Sequence, residues 1–306
     1  FQAGKKAVFS EELKDGNILI AEINGEVSFR SQDGSLVNSS EFTSGSILPV
    51  GYEVITGKNS SVLCLLSNGT LLTVRENSDM RVESFSQEAF DANGLVMEKM
   101  DKEPSSSKVM LDLDIGSLVI KTKKLNKGSQ FEIESPIGTA GIRGTEFQFG
   151  FNEKSGVDLD VTESTVAFVS KGGDTQLIGQ GNGLSVSITG EIMNRPINPV
   201  VAQQVSNINQ QATEATQTVD FENSGLGNTQ NTTDTKNSDQ NSQPAEKSGS
   251  DKEKNSAEET NQNPPSGGSK ENRSDSSNQQ SMTSPANEPM EVDSSQSSLS
   301  EKVIVS

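Results

Sequence analysis

The sequence predicts an all-β fold, an antiparallel-rich β-sandwich or flattened β-roll, followed by a long disordered acidic tail. Short strand-like runs recur about every ten residues, separated by turn residues and without intervening amphipathic helices. The segment from Ile115 to Phe151 alternates strand with glycine-rich corner. From Gln211 to Ser306 only Val219, Phe221, Leu226, Val292, Leu299, Val303, Ile304 and Val305 are Val, Ile, Leu or Phe. So few apolar residues cannot offset the entropy of ordering such a stretch.

The expected boundaries are a lead-in over 1–16, a β domain over 17–192, a linker with a short helix over 193–210, and a tail over 211–306. Strand-like runs at Asn17–Ile23 and Glu26–Arg30 flank Asn24-Gly25, a hairpin signal. Ile47–Ile55, Ser61–Leu66 and Thr70–Arg75 come next, the last two joined at Asn68-Gly69. Met80–Phe85 reads as a strand, Ser86–Ser107 as a loop or irregular insertion, and Lys108–Leu113 as a strand again. Gly116–Ile120 and Phe131–Glu134 lead to a corner in which Pro136, unable to donate to a ladder, sits at a strand end.

Gly138, Gly141 and Gly144 are too dense for an ordinary strand interior, and imply unusual backbone angles or close approach by another segment. Thr145, Phe147, Phe149 and Phe151 then alternate with polar residues as a half-buried strand. Val157, Leu159 and Val161 face inward between Asp158 and Asp160. Ser164–Ser170 and Thr175–Ile178 flank a turn at Lys171-Gly172-Gly173-Asp174, and Leu184–Thr189 closes the set. Asn198 and Pro199 read as the cap and first position of a helix running from Val200 to about Asn207. Val303-Ile304-Val305 is a short run able to add to a partner's sheet.

The strand start at Gly116-Ser117-Leu118, the F-x-I-x-S-P-I-G run from Phe131 to Gly138, and Ile142-Arg143-Gly144-Thr145-Glu146-Phe147 resemble the FecR-domain family of extracytoplasmic bacterial proteins. An upstream block from Gly45 to Gly57, then Ser61–Leu66 and Asn68-Gly69, resembles the same family in the right order. One departure is Glu163-Ser164, where the family commonly carries Glu-Gly. The resemblance implies a non-catalytic protein-interaction module. Its best-known relatives couple an outer-membrane receptor to a sigma-factor regulator through a cytoplasmic segment and a membrane helix. This sequence contains neither, so sigma regulation is not carried over. Because the chain begins at Phe1 rather than Met, something N-terminal is expected to have been removed or omitted.

Composition narrows the chemistry. Net charge is −18, with 16 acidic and 7 basic residues in the 211–306 tail, which argues against a polyanionic nucleic-acid partner. There is no His and no Trp, one Tyr (Tyr52) and one Cys (Cys64). That excludes imidazole triads and imidazole metal sites, and leaves a glycan-cleaving cleft almost no ring to stack on. No enzyme, cofactor or metal site is expected. No apolar run approaches the roughly 18 residues of a membrane helix. Cys64, in a continuous apolar run, reads as a small core residue.

The candidate sites are few. Lys121, Lys123, Lys124 and Lys127 form a basic cluster, read as a solvated hairpin tip or a small anion- or partner-contact patch. Asp112 with Asp114, and Asp158 with Asp160, read as solvated strand faces, too few oxygens for calcium. Pro136, Gly138, Gly141, Arg143, Gly144 and Thr145 form the motif corner, with Arg143 expected to fix it by bonding a carboxylate or carbonyls. Some FecR-like regulators are processed within this domain, so attack of the Thr145 hydroxyl on the Gly144 carbonyl is a self-cleavage candidate, against the simpler reading of a glycine corner.

The expected function is that of a scaffold or signal-relay component of the bacterial envelope, periplasmic or at the cell surface. Its partner would be a protein, an envelope receptor or transporter being the first candidate. A surface structural protein with self-assembly or glycan contact is the alternative.

Overall fold

The computed structural model describes residues 13–227, within the first of the chain's two units (Phe1–Gln240). Residues 228–306, carrying most of the expected tail and Val303-Ile304-Val305, lie outside the described residues. Strands β1 (Lys14–Asp15), β2 (Ile18–Asn24), β3 (Val27–Arg30), β4 (Leu36–Val37), β5 (Glu53–Thr56), β6 (Ser61–Leu66), β7 (Leu71–Val74) and β8 (Asp79–Gln87) precede a 15-residue strand, β9 (Ser107–Lys121). Then come β10 (Gln130–Ser135), β11 (Gly138–Ile142), β12 (Glu146–Asn152), β13 (Gly156–Glu163), β14 (Thr165–Ser170), β15 (Thr175–Gly179), β16 (Asn182–Val186), β17 (Ile192–Pro196) and helix α1 (Pro199–Thr216).

The pairings resolve into two layers. Sheet A runs β4-β3-β5-β8-β9-β10-β11-β14-β15, with β1 on the end of β8. Sheet B runs β2-β6-β7-β9-β12-β13-β16-β17. Strand β9 belongs to both. Its first part, through Ile115, pairs with β8 and β10, while Gly116–Lys121 pairs with β7 and β12. The sequence had suggested two strands here. Gly116 makes the change of sheet feasible: its φ is +100°, and a Cβ there would lie 2.1 Å from Ser78 Oγ and 2.4 Å from Ser78 Cα.

Inward-facing residues of both sheets form the main core, including Phe29, Phe85, Leu111, Leu113, Phe131, Phe147, Phe149, Leu159 and Phe168. Each such side chain contributes roughly 1.5–3 kcal/mol when fully buried. The alternation read in β12 and β13 is the inner face of sheet B. The expected hairpin at Asn24-Gly25 is different: β2 pairs with β6 and β3 with β5, so this turn carries the chain from one sheet to the other. The turns at Asn68-Gly69 and Lys171–Asp174 do close hairpins.

A second apolar cluster covers the outer face of sheet B. Leu19, Leu63, Leu65 and Leu71 pack with Met97 and Met100 from the 88–106 connection, and with Ala212, Phe221 and Leu226. Strand β6 is therefore buried on both faces, which explains its unbroken apolar run. Asn198 caps α1 as expected, accepting from Val200 N–H at 2.9 Å, but the helix continues to Thr216. The expected tail boundary at 211 also moves. Phe221 N–H donates to Leu95 O at 3.0 Å, and Phe221 and Leu226 are fully buried. Averaging composition over the whole tail concealed three apolar residues placed where sheet B needs covering. Among the described residues no helix is long and apolar enough to cross a membrane.

Candidate functional site

The motif corner is another point at which the chain changes sheet. Pro136 and Ile137 form the turn between β10 and β11, closed by the Ser135 hydroxyl donating to Gly138 O at 2.7 Å. Strand β11 lies in sheet A and β12 in sheet B, so Arg143-Gly144-Thr145 spans the gap between layers. This crossing is stitched to the end of β9: Thr122 N–H donates to Thr145 O at 3.0 Å, and Thr145 N–H donates to Thr122 Oγ1 at 2.9 Å.

The three motif glycines have different reasons to be glycine. At Gly144, φ is +108° and a Cβ would lie 3.0 Å from Lys124 Cα. A Cβ at Gly138 would lie 2.3 Å from the Phe168 ring. At Gly141 the nearest atom would be Ala167 O at 3.9 Å, an ordinary contact. Packing and backbone angle do not demand glycine there.

Two expectations for the corner change. Arg143 is exposed and has no ion pair or hydrogen bond among the described residues, so it does not clamp the corner. Instead it lines a groove on the outer face of sheet A. The Thr145 hydroxyl is buried with no hydrogen-bond partner among the described residues, and none of them places a base to activate it against the Gly144 carbonyl.

The lysine cluster is not a hairpin tip, because β9 and β10 run parallel and residues 122–129 form a crossover from sheet B back to sheet A. Lys124 O accepts from Glu103 N–H at 3.1 Å. The crossover is held by Glu103, a fully buried carboxylate that accepts from Ser107 Oγ and Asn126 N–H at 2.6 Å each, and from Ser129 Oγ. Lys121 lies 3.5 Å from Glu146. Burial, then the neighbouring Lys121 charge, lowers the pKa of half-buried Lys123. Lys124 and Lys127 are exposed. Lys121 and Lys123 line one hollow together with Gly69, Met97 and Thr213.

The carboxylates are better organised than the sequence suggested. Across the outer face of sheet A, Arg30, Glu53, Arg81, Asp112 and Glu134 stand in one cross-strand row. Glu53 is gripped by both arginines and its side chain is only 4% exposed. Asp79 and Asp114 bring carboxylate oxygens within 4.8 Å of Glu53. The two arginines already supply counter-charge to that group. Burial, then Glu53 and Asp114, raises the Asp79 pKa. For Asp112 the raising causes are burial, then Asp114, Glu134 and Glu83.

On sheet B the expected solvated pair is an ion-pair site. Arg195 donates to Asp160 at 2.5 and 3.1 Å and to Asp158 at 3.3 Å. Nothing in the spacing of the two aspartates announced an arginine two strands away. Cys64 is fully buried, and burial pushes its thiol up to about 12.

The family model described as FecR protein matches residues 52–167. That segment is a FecR domain. It starts at Tyr52, just before β5, and ends within β14, so it contains the whole of β9 and the motif corner, while core residues such as Ile18, Phe29, Phe168 and Leu184 lie outside it. Strands β15–β17 and helix α1 lie beyond the FecR match. No curated protein matches the chain. Two crystal structures, at 2.50 and 1.65 Å resolution, of a putative anti-sigma factor from Parabacteroides distasonis ATCC 8503 show a distant likeness to it. In each, identity is 14% and the TM-score 0.38, over 52% of this chain and 64% of that one. The aligned part thus spans less than two thirds of those proteins, and a likeness so slight says nothing of function.

Proposed function

We propose that this chain is a non-catalytic protein-interaction module of the bacterial envelope, acting outside the cytoplasm as a scaffold or signal relay. The FecR domain at residues 52–167 carries the reading. Side-chain chemistry supports it. The chain has no His, its one thiol is buried and held protonated, and the buried carboxylates Glu53 and Asp160 are engaged in cross-strand ion pairs. A module of this kind works through faces and edges of its sheets.

The test is a pull-down from envelope extract with the full chain as bait. Specific retention of an outer-membrane receptor or transporter is the expected result. Self-association alone would instead favour a surface structural protein, a reading that the uncharged edge strand β15 keeps in view.

A further inference from the structure

The outer face of sheet A contains a groove that the fold does not require. Met110, Glu132, Gly141, Ala167 and Leu177 stand in one row across β9, β10, β11, β14 and β15. Gly141 and Ala167 leave the floor nearly bare, and a side chain at 141 would have met only open space and one ordinary contact. The groove has a volume of about 460 Å³. At its outer end Leu177 is 75% exposed, beside Val169 at 42%. Its strand, Thr-Gln-Leu-Ile-Gly, has no charge, proline or bulge of the kind that usually protects a sheet edge.

The same face turns acidic towards the middle of the sheet. Glu83, Asp112, Asp114 and Glu134 line an adjoining hollow of about 530 Å³, with Lys171 its sole cation. Apolar and acidic halves thus lie side by side on one open face.

We propose that this face docks an extended segment of another protein, apolar where it crosses Gly141, Ala167 and Leu177 and cationic where it passes Glu132, Glu134, Asp112 and Asp114. Charge complementarity selects the occupant. A second copy of a chain with net charge −18 is repelled from the acidic half, whereas lysine or arginine side chains are attracted to it. Arg143, lining the groove without a partner among the described residues, has donors free for the segment's backbone carbonyls. The proposal rests on the interaction-module reading and gives it a surface and a partner chemistry.

The test uses the full chain and a fluorescent synthetic peptide in which a run of valines is followed by a run of lysines, read by anisotropy. Peptides with a valine run followed by glutamates, and with a serine run followed by lysines, are the comparisons. The valine–lysine peptide is expected to bind at least about tenfold more tightly than either. Gly141→Val, which fills the floor, and Leu177→Ser, which removes the apolar wall, should each weaken it by a similar factor, with melting temperatures within about 3 °C of the parent. Wild-type affinity in both variants, or equal binding of the serine–lysine peptide, overturns the docking surface. Repeating the envelope pull-down with the doubly substituted chain separates the two levels of the argument. A receptor retained equally by parent and variant removes this surface but leaves the module reading; no retained envelope protein with either chain removes the module reading itself.

Discussion

Arg195 reaches Asp160 across the bare backbone of Gly183. The three residues stand in register on β17, β13 and β16, and a Cβ at 183 would lie 2.2 Å from Arg195 Nη1 and 2.6 Å from Asp160 Oδ1. The Asp160 side chain is only 3% exposed, so its charge depends on this one guanidinium. Removing the cation from a buried pair typically costs about 3–5 kcal/mol, and partial exposure of Arg195 lowers the expectation here to about 2 kcal/mol. Arg195→Met should show that loss in urea unfolding, and adding Asp160→Asn should recover most of it. Gly183→Ala should reproduce the defect with both charges still present.

Gly116→Ala should be strongly destabilising for a single added methyl. Its conflict is with Ser78 Cα as well as with the hydroxyl, and its φ of +100° is closed to alanine. A loss above about 3 kcal/mol is expected in denaturant unfolding. Adding Ser78→Gly should not rescue it, because the backbone clash remains; full rescue would place the problem in the serine side chain alone.

Ser164 occupies a left-handed turn, φ +65°, at the position where the FecR resemblance implies glycine. The strain of a side chain there, about 1–2 kcal/mol, exceeds the extra chain entropy of glycine, about 0.5–1 kcal/mol. Ser164→Gly should therefore raise the melting temperature slightly. A lower one would mean that the exposed hydroxyl does something the local geometry does not reveal.

Asn209 sits on the buried face of α1, and among the described residues neither its amide nitrogen nor its oxygen has a hydrogen-bond partner. Leaving such groups dry costs about 1–3 kcal/mol, and alanine is the better helix former. Asn209→Ala is expected to stabilise the chain by about 1 kcal/mol, read as a shift in the urea midpoint with an unchanged slope.

Asp112 gives a pH signature. Its pKa is raised in the folded state, so folding takes up protons, and the penalty for its charge is fully present above the folded value and is relieved as pH falls towards the unfolded one. Asp112→Asn should raise the melting temperature at pH 7, and the gain should shrink on acidification. A gain that grows as pH falls would reverse the sign of the argument.

Much of this was legible in the sequence because strands facing one core advertise themselves by alternation: β12 and β13 do, and both lie where Phe147 to Val161 placed them. Pairing was less legible. Asn24-Gly25 has the composition of a hairpin turn, yet β3 on its far side pairs with β5, since a turn sets local direction and the sheets choose the partner. The parallel β9–β10 ladder was hidden for the same reason, and with it the true setting of the lysine cluster. Of the candidate site, the sequence found the glycines but not their differing roles. Gly141 and Gly144 look alike until the space around each missing Cβ is known. Arg30, Arg81 and Arg195 went unnoticed because the acids they serve lie on other strands, tens of residues away.

Strand β9 also bears on how the domain comes apart. Its first part is a central strand of sheet A and its second part a central strand of sheet B, on one continuous backbone. Withdrawing it from either layer strips the neighbours from both, so an intermediate with one sheet intact has no supporting strand to rest on. The two layers should form and dissolve as a single cooperative unit, with amide protons at Leu113 and Leu118 exchanging only through global unfolding.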